Sequence, residues 1–107
     1  MWYEISLIVP STVNVFGAAS KELIEDVLRA VRNEFNSFGG CTSVSGVGSY
    51  ISAGGEVLEN VVVVSTFTED CEHGMNVARA TAQHVKDIMS QESVLVTCRR
   101  VDIVEFI

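Results

Sequence analysis

Apolar and polar residues alternate at the start of the chain. Between residues 2 and 9, one face holds Tyr3, Ile5, Leu7 and Val9. A period of two with β-branched residues predicts a strand. Pro10 should end it, because proline has no N–H for a strand ladder. The loop that follows, residues 10–19, carries no charge.

The pattern then changes to a period of three to four residues, which is typical of an amphipathic helix. Ser20 is a suitable N-cap for it. Gly39 and Gly40 should end it, since glycine tolerates the left-handed conformation that closes a last helical turn. The apolar stripe consists of Leu23, Ile24, Val27, Leu28, Val31, Phe35 and Phe38.

Two strands and a turn come next. Residues 41–51 are rich in Ser, Thr, Val and Gly, and they predict a strand in which Gly46 and Gly48 indicate a bulge or a close backbone approach. Residues 53–55 form a turn. Residues 57–68 predict the strongest strand, so the two strands should form a hairpin.

A second helix is predicted after Glu69 and Asp70, which supply an N-cap and negative charge at its start. Its buried stripe consists of Met75, Ala78, Ala82, Val85 and Met89. The last segment, residues 94–107, is strand-like. We expect a bulge or bend at its charged pair, Arg99 and Arg100, whose side chains should point to opposite faces.

Two strand–helix–strand units joined by a hairpin predict one α+β domain over residues 1–107. Its order βαββαβ is ferredoxin-like, with an antiparallel four-stranded sheet and two helices on one face. The other face would then expose Trp2, Ile8 and alternate residues of the run 61–64. Because an uncovered apolar face usually meets a partner, we expect a homo-oligomer, most simply a dimer packed sheet to sheet.

The charge balance restricts the partners. Seven basic residues stand against fourteen acidic ones in 107 residues, a net charge of -7. Such a surface repels phosphate backbones and anionic lipids, so we expect neither a nucleic-acid nor a membrane partner. A small anion in a local basic pocket remains compatible with this charge.

The cysteines and the termini indicate the compartment. Cys41, Cys71 and Cys98 are odd in number and widely spaced, which favours reduced thiols over a disulfide framework. No leader-like segment and no apolar run of the roughly 18 residues that span a bilayer occur. We therefore expect a cytoplasmic protein.

The chain resembles a diffuse group of small, uncharacterised bacterial and phage proteins. The resemblance covers most of the chain and supports the fold, but it implies no catalytic residues. It rests on Val9-Pro10-Ser11-Thr12, Phe38-Gly39-Gly40-Cys41-Thr42, Gly46-Val47-Gly48-Ser49-Tyr50, Gly55 with Glu59, and Gln91-Glu92-Ser93-Val94-Leu95.

A ligand site is predicted from three features. The loop after the first strand precedes a helix N-terminus, where free N–H groups can receive an anion. Tyr50 could stack on a ring beside the strand glycines, and the arginine pair could bind an anion by its planar forks. The predicted ligand-binding residues are Ser11, Thr12, Asn14, Tyr50, Arg99 and Arg100. Each feature also has a purely structural explanation, as a protomer contact, a twisted edge strand or a charged edge.

The other chemistry-bearing residues have simpler explanations. Cys71 and His73 could form a reactive or metal-binding pair, but two helical residues separated by one do not share a face. The carboxylates of residues 69, 70 and 72 are explained by helix capping. We therefore expect no metal and no cofactor, and we assign no catalytic residue.

Three functions fit this sequence. The first is a homo-oligomeric binding module that holds or sequesters a small metabolite, for which a nucleotide-like anion is one candidate. The second is a cofactor-free oxygenase or isomerase of the dimeric ferredoxin-like type, using Tyr50, His73 or His84 for proton transfer. The third is a pure protein-interaction module.

Overall fold

The computed structural model describes residues 1–13 and 17–107, and its elements follow the predicted order. Both helices and the four strands of the main sheet lie close to their predicted places, but the last strand ends at Val101 rather than at residue 107, and the short strands Thr12–Val13 and Gly17–Ala18 were not predicted. In chain order they are β1 (Trp2–Pro10), β2 (Thr12–Val13), β3 (Gly17–Ala18), α1 (Lys21–Phe35) with a 3-10 turn (Asn36–Phe38), β4 (Thr42–Ser52), β5 (Gly55–Thr68), α2 (Cys71–Ile88) and β6 (Val96–Val101).

The main sheet is antiparallel with the strand order β4-β5-β1-β6. The ferredoxin-like prediction is confirmed, including the central position of the first and third main strands. Both helices cover the face that holds the buried side chains of β1, because those side chains and the apolar stripes of the helices form one core. Its members are Ile5, Leu7, Val9, Val27, Val31, Phe35, Val64, Ala78, Ala82, Val85 and Met89.

The predicted helix caps are present. The Ser20 hydroxyl accepts the N–H of Leu23 at 3.1 Å, and the Asp70 carboxylate accepts the N–H of His73 at 3.0 Å. Each bond satisfies an N–H that has no partner inside its helix. Gly39 closes the 3-10 turn with φ +106°, a conformation that a side chain would disfavour. These caps fix where α1 and α2 begin and where the first helical segment ends.

The predicted bulges are wrong. The β4–β5 register is continuous through Gly46 and Gly48, and a Cβ at either glycine would make only ordinary contacts. The β1–β6 register is equally continuous through Arg99 and Arg100. The charged pair does not bend the strand because the Arg99 guanidinium reaches the cross-strand carboxylate of Glu4 at 2.9 Å.

The β4–β5 hairpin extends beyond the rest of the sheet. β1 pairs only with residues 61–68 of β5, whereas β4 pairs with β5 as far as the turn at Gly55. Residues 47–60 therefore project as a two-stranded segment, which we call the ribbon. It contributes to the long dimension of the molecule, which measures 45 × 26 × 24 Å.

Candidate functional site

A notch lies where β1 ends and β5 continues into the ribbon. β5 has β1 as its neighbour only as far as Pro10, and beyond that residue the edge of β5 is open. The first turns of α1 lie over the space that β1 leaves. The result is a cavity of about 360 Å³, at the lower end of the range for small-molecule sites. It is lined by Val9, Pro10, Ser11, Ile24, Ser45, Gly46, Asn60, Val61 and Val62.

The chain beside the notch is held by side-chain hydrogen bonds. The Thr12 hydroxyl donates to the Glu59 carboxylate at 2.8 Å. The Gln91 amide donates to the carbonyl oxygens of Thr12 and Met89. The loop after β1 is therefore tied both to the ribbon and to the segment between α2 and β6, which gives the notch a defined wall.

The walls of the notch are of two kinds. Val9, Pro10, Ile24 and the valines of β5 supply apolar surface, whereas Ser11, Ser45 and Asn60 supply hydroxyl and amide groups. No lysine or arginine is among the described residues that line the notch. The Glu59 carboxylate lies beside it, where it accepts the hydrogen bond from Thr12. The notch thus offers hydrogen bonds and apolar contact, with negative charge beside it.

The structure brings only part of the predicted ligand set together. Ser11 lines the notch and Thr12 forms the bond beside it, whereas Asn14 lies outside the described residues. Tyr50 is 51% exposed on the ribbon, four residues along β4 from Gly46. The ligand-binding roles of these residues stay predictions.

The arginine pair lies at the opposite end of the sheet. In the sheet, Arg99 lies opposite Glu4 and Arg100 lies opposite Tyr3. Tyr3 is seven residues along β1 from Pro10, so about 24 Å separates the Arg100 end of the strand from the notch. Their side chains point to opposite faces, as predicted, because neighbouring strand residues alternate. Within one chain, Arg99 and Arg100 therefore do not reach the notch.

Both histidines border a different cavity. A groove of about 650 Å³ lies between α1 and α2, and its wall includes Glu34, His73 and His84. The His73 ring lies 5.4 Å from the ring of Phe38. Among residues 1–13 and 17–107, no group of three or more His, Cys, Asp or Glu side chains could hold a metal ion. The groove is larger than the notch, but its histidines are on the helical side, away from Tyr50.

The open face of the sheet, opposite the helices, carries apolar residues on both sides of a central polar pair, Ser6 and Ser65, whose hydroxyl oxygens are 2.8 Å apart. As predicted, it carries Trp2 and Ile8 of β1 together with Val61 and Val63 of β5, all half-buried. Phe106 packs edge-on against Trp2 at 5.7 Å, so the segment after β6 covers one end of this face. None of the helices that the structure describes is long and apolar enough to cross a membrane.

Sequence reasoning missed two residues, Asn60, which lines the notch, and Glu59, which lies beside it. Both are polar residues inside a strand that is otherwise rich in valine, and a carboxylate in such a strand signals a local partner. The bond between Glu59 and Thr12 could not be predicted, because it depends on how far β5 extends past the end of β1.

Several solved structures share this fold. A phage SAM lyase in complex with S-methyl-5′-thioadenosine is 21% identical, with a TM-score of 0.70 over 92% of this chain and 80% of that one. The divalent cation tolerance protein Cut A1 of Thermus thermophilus is 14% identical, with a TM-score of 0.59 over 98% of this chain and 88% of that one. The periplasmic CutA of Archaeoglobus fulgidus is 11% identical, with a TM-score of 0.63 and the same two coverages.

At these identities the likeness shows the fold alone. No protein-family model and no curated protein matches the sequence. The function therefore has to be argued from the residues of the notch and of the exposed surfaces.

Proposed function

We propose that the chain forms a homo-oligomer in which each subunit holds a small nucleoside-like metabolite in the notch. The observation that carries this proposal is the mixed lining of the cavity, which combines apolar walls with hydroxyl and amide groups and has the Glu59 carboxylate beside it. A nucleoside combines a flat, weakly polar base with a hydroxylated sugar. Its base would contact Val9, Pro10 and Val61, and its hydroxyls would donate to Glu59 or exchange hydrogen bonds with Asn60.

The charge around the notch favours a neutral or cationic ligand. A phosphate placed there would meet the Glu59 carboxylate without a basic side chain from the described lining to offset it. S-Methyl-5′-thioadenosine, which the similar phage lyase holds, is an uncharged nucleoside thioether and is therefore the first probe to use. An anionic nucleotide would require Arg99 or Arg100, and these could reach the notch only from a neighbouring copy.

Self-association is supported by the ribbon. One face of the ribbon carries three exposed apolar side chains: Val47 (68% exposed), Ile51 (78%) and Leu58 (63%). The other face of the ribbon carries Tyr50, which is 51% exposed. Two-stranded hairpins are marginally stable in water unless another layer covers them. Val44, which is 59% exposed, shares the face of Tyr50, and this face continues the open face of the sheet. A second copy of the chain that contacts both faces of the ribbon would cover all of these side chains.

The binding test is titration calorimetry with S-methyl-5′-thioadenosine, with adenosine 5′-monophosphate as the charged comparison. We expect the thioether to bind more tightly. Glu59→Gln keeps the shape and the acceptor for Thr12 but removes the charge, and it should weaken binding about tenfold to a hundredfold. Glu56→Gln, which changes another ribbon carboxylate that accepts a hydrogen bond, is the matched control and should bind like the wild type.

Tighter binding of the monophosphate, unchanged by Glu59→Gln, would contradict the site assignment. An absence of binding by both compounds would contradict the nucleoside proposal itself.

Self-association has a separate test, size-exclusion chromatography with light scattering at micromolar concentration. We expect a mass of at least two chains for the wild type. Ile51→Glu should shift it toward the monomer, because a carboxylate would have to be buried with the ribbon. Ile103→Glu changes an isoleucine that is 75% exposed after β6, and it should leave the mass unchanged. A monomeric wild type would refute the oligomer.

An enzyme acting on the same ligand class is the second candidate, and the phage lyase likeness over 92% of the chain favours it. Incubation with S-adenosylmethionine would then release S-methyl-5′-thioadenosine faster than buffer does. Glu59→Gln should reduce that rate. Binding of the thioether without any release would leave the binding module as the function. The oxygenase or isomerase alternative is less favoured, since Tyr50 and the two histidines do not share a cavity.

A further inference from the structure

Two of the three cysteines meet where α2 begins against the edge strand β6. Cys71 is the first residue of α2, and Cys98 lies in the middle of β6. Both are free thiols, and their sulfur atoms are 3.4 Å apart although 27 positions separate them in the chain. A disulfide bond would bring the sulfurs about 1.4 Å closer.

The third cysteine cannot take part in this pair. Cys98 lies opposite Ile5, which in turn lies opposite Thr66, so these residues form one row across the sheet. Cys41 continues that row, one residue before Thr42, which begins β4. Three strand spacings, about 14 Å, therefore separate Cys41 from Cys98. Cysteines bridged by a disulfide have Cα atoms less than about 7 Å apart.

We propose that Cys71 and Cys98 are a redox-reactive thiol pair that forms a reversible disulfide by exchange with low-molecular-weight disulfides such as glutathione disulfide. Cys98 is exposed, so the small disulfide can reach the pair from solvent. This site is independent of the notch, because Cys98 pairs with Ile5, five residues along β1 from Pro10.

The exchange balances in two steps. One thiol of the pair loses its proton to solvent, and its sulfur attacks glutathione disulfide. A mixed disulfide forms, and one glutathione thiolate leaves. The second protein thiol then loses its proton and attacks the protein sulfur of the mixed disulfide, which releases the second glutathione. Two electrons pass from the protein thiols to glutathione disulfide, which is reduced to two thiols.

The bond would act on the edge of the sheet. Among the strands that the structure describes, β6 is hydrogen-bonded to β1 alone, so one of its edges has no neighbouring strand. A disulfide from its middle to the first turn of α2 would hold the strand to the helix layer as well. Local opening of β6 would then require the helix start to move with it, so amide exchange in this strand should slow on oxidation.

The test is incubation of the purified chain with glutathione disulfide, followed by intact-mass measurement and peptide mapping. We expect the wild type to lose two hydrogens, to fall from three reactive thiols to one, and to yield a peptide pair joined through Cys71 and Cys98. A dithiol reductant should reverse the change. Hydrogen exchange should slow in β6 but not in the ribbon.

Three variants complete the test. Cys71→Ser and Cys98→Ser should each stop at the glutathione adduct, because the resolving thiol is missing, whereas Cys41→Ser should behave like the wild type. The proposal is overturned if the wild type accumulates glutathione adducts without losing two hydrogens. It is also overturned if the cross-linked peptides contain Cys41 or join two chains.

Discussion

Gly74 allows α2 to pack directly on the sheet, and its replacement by alanine tests that packing. A Cβ at this position would lie 2.8 Å from Cγ2 of Thr68 and 3.2 Å from Cγ1 of Ile5. The first distance is well inside van der Waals contact. Thr68 cannot easily turn away, because its hydroxyl accepts the N–H of Asp70 at 3.0 Å and fixes the side chain.

The magnitude follows from opposing terms. Alanine in place of glycine inside a helix raises the free energy of unfolding by about 1 kcal/mol through its higher helix propensity. Overpacking in a filled core costs about 1–3 kcal/mol, and displacing the hydroxyl of Thr68 costs about 1 kcal/mol more. Gly74→Ala should therefore lower the free energy of unfolding by about 1–3 kcal/mol. Urea denaturation followed by circular dichroism measures this change.

A second substitution separates the clash from other effects. Thr68→Ser removes the Cγ2 methyl but keeps the hydroxyl, so in that background Gly74→Ala should be nearly neutral. Ala80→Gly, at an exposed position of the same helix, measures the propensity term alone. The packing argument is refuted if Gly74→Ala stabilises the wild type. It is also refuted if Gly74→Ala lowers the free energy of unfolding by the same amount in the wild type and in the Thr68→Ser background.

Three further predictions concern stability and thiol chemistry. Asp70→Ala should lower the free energy of unfolding by about 1 kcal/mol, while Asp70→Asn keeps the cap and should lower it less; equal losses in urea denaturation would argue against capping. Thr66→Val should lower the free energy of unfolding by about 1–2 kcal/mol, because the Thr66 hydroxyl donates to the Gly40 carbonyl at 2.6 Å. An unchanged urea denaturation midpoint would contradict this. Burial and the neighbouring Cys71 raise the pKa of the Cys98 thiol, so Cys71→Ala should lower that pKa and speed iodoacetamide alkylation of Cys98 at pH 8. Slower alkylation would contradict the assigned cause.

Local patterns were sufficient to predict both helices and the four strands of the main sheet. Ser20 and Asp70 cap their helices through bonds within three residues, so the sequence around each contains the whole signal. Residues of the strands alternate between a buried and an open face of the sheet, and this period of two is visible in the sequence from Tyr3 to Val9. The ferredoxin-like arrangement then followed from the order of the elements and the handedness of the crossovers.

The remaining features depend on distant residues. Arg99 stays in a regular strand because Glu4, 95 positions away, balances its charge across the sheet. Cys71 and Cys98 meet only because β6 takes its place beside β1. Periodicity contains no information on such pairs, so the expected bulge was wrong and the thiol contact was not foreseen.

The candidate site was predicted in part for the same reason. Ser11 could be assigned to a loop before a helix N-terminus, and the structure places it in the notch wall. Glu59 entered only as part of a sequence motif, because its bond to Thr12 spans 47 positions. The distance between the loop and Arg99 is set by the length of β1, and nothing in the arginine pair itself indicates to which end of the sheet it belongs.

Native mass spectrometry tests the central proposal most directly, because one spectrum reports the assembly and its ligand together. The chain has a mass of 11.6 kDa. With S-methyl-5′-thioadenosine present, we predict an oligomer of at least two chains that retains the thioether at up to one molecule per chain, and Glu59→Gln should keep the assembly but lose most of the ligand. A monomer, or an oligomer that retains no thioether, would contradict the proposal.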